Sequence, residues 1–331
     1  MNEAESVAAI PALPAARPTL RGHIQIARFD HWVKNVFVLP GIIAAAGIDR
    51  AHIPSNLAVR IVVGMVSIGL VASSNYVLNE LLDAPNDRLH PIKCARPVPS
   101  GQVSVKLAYV QWLAMMVVGL GLAWLISVPF TITAASLWIM GCVYNIPPFR
   151  SKDVPYVDVL TEAVNNPIRM LAGWFIGSTS SIAPASLLCS YWMVGCYFMA
   201  IKRYAEYREL ASPEKAAAYR RSFAYYTLDR LLVSIVFYGS TSMLFLGAFI
   251  MRYRLELIAA FPFVAWVMAE YLSIAFRPNS AAQNPESLYK ERGLMTAMIA
   301  VTIVMTICLL VDIPILHSLF SPTAPTARGG P

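Results

Sequence analysis

The sequence predicts an all-α integral membrane bundle of about nine transmembrane helices with a cytoplasmic N-terminus. Three observations predict it. Hydrophobic residues fill 57% of the 331 positions and charged residues only 14%, whereas soluble domains are roughly half apolar and about a quarter charged. Apolar runs long enough to cross a bilayer recur along most of the chain. The Lys and Arg residues fall unevenly between alternate connections, the bias that sets membrane orientation.

The elements follow in order. Residues 1–19 are rich in Ala and Pro, carry Glu3 and Glu5 without a basic n-region, and read as a flexible tail rather than a signal peptide. Residues 19–31 mix Arg21, Arg28 and Asp30 with Leu20, Ile24, Ile26 and Phe29, a pattern for a short interfacial helix. The predicted spans are 33–48, 58–79, 107–127, 130–147, 159–178, 184–201, 231–251, 255–276 and 294–316, the first interrupted by Pro40 and Gly41. Residues 20–317 form one transmembrane domain, and 318–331 a C-terminal tail.

With the N-terminus inside, twenty of the 26 Lys and Arg residues fall on cytoplasmic pieces. Arg50, Arg60, Arg252, Arg254 and Arg328 fall on the other side, and Arg169 lies within a span. The connections after spans two, four, six and eight then share the cytoplasmic mouth of one bundle. The net charge of +7 comes without an aromatic-basic surface module, so it does not point to nucleic acid. Cys142, Cys189, Cys196 and Cys308 sit in apolar runs as small hydrophobes, and only Cys94 lies in a basic loop.

Residues 61–78 contain no charge, and Asn79, Asp83 and Asp87 follow at once. Spacing of i, i+4, i+8 puts them on one helix face. Their oxygens suit Mg²⁺, which binds through one or two carboxylates plus substrate phosphates. His90, Lys93 and Arg96 come next and can hold the same phosphates. The end of span six mirrors this arrangement with Lys202, Arg203, Tyr204 and Glu206; an i, i+4 helix pair between Lys202 and Glu206 is the plainer alternative.

Smaller groups join the same mouth. Lys34 and Asn35 open the first span, where a membrane-surface anchor is the plainer reading. Tyr144, Arg150 and Lys152 flank Pro147 and Pro148, which must end the fourth helix. Glu162 and Arg169 lie in the fifth span, either as an ion pair or with Arg169 holding an anionic lipid headgroup.

At these residues the chain resembles the UbiA-type intramembrane prenyltransferase superfamily. Within it, Trp32-Val-Lys34-Asn35, His90-Pro91-x-Lys93-x-x-Arg96-Pro97 and Lys202-Arg203-Tyr204-x-Glu206 are similar to the decaprenyl-phosphate phosphoribosyltransferase branch. One departure is Glu80, where that pattern has Asp. The resemblance implies a UbiA-like catalytic domain in the bacterial inner (cytoplasmic) membrane with its active site facing the cytoplasm. It implies Mg²⁺-dependent transfer of 5-phosphoribose from PRPP to a polyprenyl phosphate, toward a lipid-linked D-arabinose donor. Metal ligands would be Asn79, Asp83 and Asp87, with Asp83, Asp87, Lys202 and Glu206 catalytic. Lys34, Asn35, Lys93, Arg96, Tyr144, Arg150, Lys152, Arg169, Arg203 and Tyr204 would bind substrates. The alternatives are prenyl transfer from a diphosphate to an aromatic acceptor, or a transporter using Asp158, Glu162 and Arg169.

Overall fold

The structure, a computed structural model, describes residues 17–88, 93–179, 181–210, 212, 214, 216, 219–283 and 285–320. Most of both expected tails, and His90 and Pro91, lie outside the described residues. No strand occurs among them. The helices are α1 (Leu20–Ile26), α2 (Leu39–Ile48), α3 (Leu57–Asp87), α4 (Val105–Trp124), α5 (Val128–Asn145), α6 (Val157–Ala163), α7 (Asn165–Gly177), α8 (Ala185–Glu209), α9 (Leu228–Tyr253), α10 (Phe261–Ala275), α11 (Arg292–Leu310) and α12 (Pro314–Leu319).

Among the described residues, eight helical stretches are long and apolar enough to cross a membrane. The fifth predicted span, 159–178, is the one missing from these eight, split at Val164 into α6 and α7. Pro167 accounts for the break, because it offers no N–H to the carbonyl four residues back. Pro40 has the opposite effect from an interruption: it sits in the first turn of α2, where its missing N–H is not needed. The expected interfacial helix is α1, capped by the Thr19 hydroxyl, which accepts from the Gly22 N–H at 3.0 Å.

Two half-bundles pack side by side. The first closes around Ile68, Val71, Phe130, Leu137 and Ile176, the second around Tyr197, Ile201, Leu231, Ile235 and Ile274. In the first half, α2 and α7 meet backbone to backbone. A Cβ on Gly41 would fall 1.8 Å from the Met170 carbonyl oxygen, and one on Gly173 1.9 Å from that of Val38. Such close approach through small residues is the usual route to tight packing in lipid. Arg60, counted above as a loop charge, is instead buried. Its guanidinium donates to the carbonyls of Phe175, Ile176 and Ile126, satisfying helix-end acceptors that lipid cannot.

The 31 residues of α3 span about 46 Å at 1.5 Å per residue, against a hydrocarbon core of roughly 30 Å. Its last turns can therefore stand clear of the lipid, carrying Asn79, Asp83 and Asp87 to the end where α5, α6 and α8 also converge.

Candidate active site

Helix α5 stops at Asn145, just ahead of Pro147 and Pro148. The chain turns at Arg150, whose φ of 27° lies in the left-handed region, and enters a 3-10 turn over Ser151–Asp153. This turn brings two cations back onto α3. Lys152 Nζ lies 2.6 Å and Arg150 Nη2 3.1 Å from Asp83 Oδ1. The Asn145 side-chain oxygen, Oδ1, accepts from Asn79 Nδ2 at 2.6 Å and from Lys152 Nζ at 2.9 Å. On the other flank, Arg96 Nη1 sits 2.7 Å from Asp87 Oδ2. Strained backbone recurs around this mouth, since Arg28 and Tyr156 also have positive φ.

Lys93 links the two walls. Its ammonium stands 5.2 Å from the Tyr219 ring centroid and lies in the field of Asp87, Asp83 and Glu206. Burial pushes the Lys93 ammonium below its ordinary value, with Asp87 opposing. Burial does the same to Lys152, with Asp83 opposing.

The second wall is the end of α8. Lys202 and Glu206 approach to 4.0 Å, the expected helix pair. Arg203, expected to hold phosphate, is buried, and its guanidinium binds three carboxylates: Asp158, Glu162 and Glu206. That leaves its donors facing protein rather than ligand. Asp158, fully buried, also accepts from Tyr226 at 2.7 Å, Ser222 at 3.3 Å and Arg220 at 3.3 Å. Tyr144 joins this network, donating to Glu162 at 3.1 Å and accepting from Arg220 at 3.0 Å. Tyr204 does not belong to it. Two residues beyond Lys202, it points to the opposite side of α8 and stacks edge-on against Phe276 at 5.5 Å.

Lys34 and Arg169 lie apart from this network, in the neighbourhood of Tyr76 on α3. Glu162 pairs with Arg203, not with Arg169, so the expected ion pair across two turns does not form. Asn35 is buried at 2% exposure and makes no hydrogen bond to the acidic motif. Lys34 lies 6.0 Å from the Tyr76 ring centroid.

Asn79, Asp83 and Asp87 offer hard oxygen donors on one face, each already matched to a cation or an amide. That chemistry fits Mg²⁺ completed by phosphate oxygens, with Asn79, Asp83 and Asp87 as its holders. Among the described residues no three His, Cys, Asp or Glu side chains converge as an all-protein cage, which is also how Mg²⁺ sites are usually built.

Three residues carry more than their sequence positions suggested. Glu80 points away from the acidic face, 1% exposed, and ties Arg28 at 3.3 Å to the Val98 N–H at 3.0 Å. Its signal was a carboxylate directly beside Asn79 at the end of an apolar helix. Asp158 gave a similar signal at the edge of span five. Arg220 gave none, because only the fold brings its loop under Tyr144.

The UbiA prenyltransferase family model matches residues 36–290. A decaprenyl-phosphate phosphoribosyltransferase of Mycolicibacterium smegmatis is 30% identical over 224 residues, covering 66% of this chain and 68% of that protein. One from Mycobacterium tuberculosis is 30% identical over 207 residues, covering 62% and 66%. The chain thus spans about two thirds of the length of these curated relatives. In fold, it is similar to a UbiA homolog from Archaeoglobus fulgidus bound to GPP and Mg²⁺. The TM-score is 0.65 at 20% identity, with 85% of this chain and 99% of that one covered.

Proposed function

The chain belongs to the UbiA prenyltransferase family, and from that premise we propose that it transfers 5-phosphoribose from PRPP to a polyprenyl phosphate, releasing diphosphate. Transferase chemistry on a multi-span membrane scaffold follows from the family. The substrates rest on one observation above all: the acidic face of α3 is ringed by Lys93, Arg96, Arg150 and Lys152. A prenyl diphosphate presents one charged head, whereas PRPP presents a diphosphate and a 5-phosphate separated by a ribose. Cations on both flanks of the acidic face suit the second shape.

Asn79, Asp83 and Asp87 would hold Mg²⁺, which supplies Lewis-acid stabilisation to a departing diphosphate. Lys152 and Arg150 on one flank, and Arg96 and Lys93 on the other, neutralise charge as the C1–O bond breaks and its electron pair leaves with diphosphate. The acceptor phosphate oxygen then bonds to the oxocarbenium-like C1. It is already an anion, so no proton must be removed and no general base is required. Lys202 and Glu206 face the same space from α8 and orient the donor. The reaction would take place at the cytoplasmic face of the bacterial inner membrane, where PRPP is available.

The test is direct competition in detergent between PRPP plus polyprenyl phosphate and prenyl diphosphate plus 4-hydroxybenzoate. Ribose label in the lipid product is expected. A prenylated aromatic, with no label in lipid, overturns the reading.

A further inference from the structure

Resting on that reading of the reaction, we infer that Arg169 and Lys34 form a phosphomonoester site beneath the acidic face, and that it seats the head of the lipid acceptor. Arg169 is only 8% exposed, and its Nε is buried without a hydrogen-bond partner. Among the described residues it makes no ion pair at all. An uncompensated guanidinium inside a membrane bundle is costly and marks a site where an anion is expected. Its electrostatic neighbours are the phenols Tyr76 and Tyr191.

Tyr76 gathers further cations. Lys34 Nζ lies 6.0 Å and Arg28 5.9 Å from its ring centroid, and His31 stacks edge-on at 5.3 Å. The Arg28 charge is balanced locally by Glu80, and the His31 ring bonds Asp30. Lys34 pairs with no carboxylate among the described residues, leaving Lys34 and Arg169 as two cations in the neighbourhood of Tyr76 with no acid matched to them.

Depth distinguishes this site from the donor's. Tyr76 precedes Asp83 by seven residues and Asp87 by eleven, so all three share one face of α3. Seven residues place Tyr76 about 10 Å further into the membrane than Asp83. Val33, Val36 and Phe37, beside Lys34, are exposed apolar side chains, and Phe37 touches Tyr191 at 6.4 Å. A phosphate held here would carry its chain out among those side chains toward lipid. The donor ribose would lie between this phosphate and the diphosphate end, which leaves the acceptor oxygen on the face of C1 opposite the leaving group.

The same chemistry would accept the 5-phosphate of PRPP, so binding to purified protein in detergent needs three arms: polyprenyl phosphate, polyprenol, and PRPP with Mg²⁺. Wild type should prefer polyprenyl phosphate to polyprenol. Arg169→Gln and Lys34→Gln should each weaken polyprenyl phosphate by about tenfold, the scale of one charge-assisted contact, leaving polyprenol and PRPP unchanged. Unchanged affinity for polyprenyl phosphate overturns the site, and so does a loss confined to PRPP. If Arg169→Gln loses every ligand, Lys34→Gln decides, since its side chain is half-exposed and bonds to nothing that folding needs. Transfer activity is read separately in wild type. Its absence there sinks the reaction without touching this site, whereas unchanged lipid affinity in the variants sinks the site alone.

Discussion

Lys152 and Asp83, 69 positions apart in sequence, meet at 2.6 Å across the cleft between α5 and α3. Asp83 shares the same oxygen with Arg150, so a single carboxylate draws both cations of the 150–153 turn onto α3. Binding of a metal or a phosphate at this point would redistribute those cations rather than recruit new ones.

Asp83→Asn and Asp87→Asn should each lower turnover by about a hundredfold or more while the protein remains folded. Each variant removes an oxygen anion from the face proposed to hold Mg²⁺. EDTA should abolish wild-type activity, and Mg²⁺ should restore it better than Ca²⁺, which prefers more and longer bonds. Near-normal turnover by both variants would remove the metal assignment.

The alkaline limb of kcat/KM for PRPP should fall at a pH below the ordinary lysine value. Burial lowers the folded-state pKa of both Lys93 and Lys152. As pH rises through those lowered values the ammonium charges disappear, and with them the attraction for phosphate. Lys93→Arg, which stays charged, should move the limb upward. A profile identical to wild type would show that Lys93 does not meet the donor.

Arg203→Ala should lower thermal stability in detergent sharply, by about 3–5 kcal/mol, because it removes the buried cation that Asp158, Glu162 and Glu206 share. The double variant Arg203→Met with Asp158→Asn should recover part of that loss. If Arg203→Ala melts like wild type yet raises KM for PRPP, the guanidinium binds substrate after all.

Lys202→Ala and Glu206→Ala should raise KM for PRPP more than KM for the lipid acceptor, if both side chains orient the donor as proposed. Initial rates with each substrate varied in turn measure this. Equal changes for both substrates would assign the pair to folding or to the chemical step.

Much of this molecule is legible in its sequence because membrane helices announce themselves by length and apolarity. The convergence of Asn79, Asp83, Asp87, Arg96, Arg150 and Lys152 follows from helix spacing and from which connections share a side. Arg203 and Tyr204 were harder, because a rotation of 100° per residue separates neighbours on α8, and only packing reveals which face meets the cleft. Arg60 shows the limit of charge counting: it lies near a helix start, like a loop cation, yet its head turns inward to carbonyls no linear pattern reveals.

Glu80 binds the backbone of the 93–98 turn with one oxygen and Arg28 with the other. The first partner belongs to the segment that carries Lys93 and Arg96, the second to the segment that leads into Lys34. One carboxylate is therefore a strut between the segments that carry the two proposed substrate seats. The trace of losing it would be kinetic: binding at one proposed seat would no longer be felt at the other.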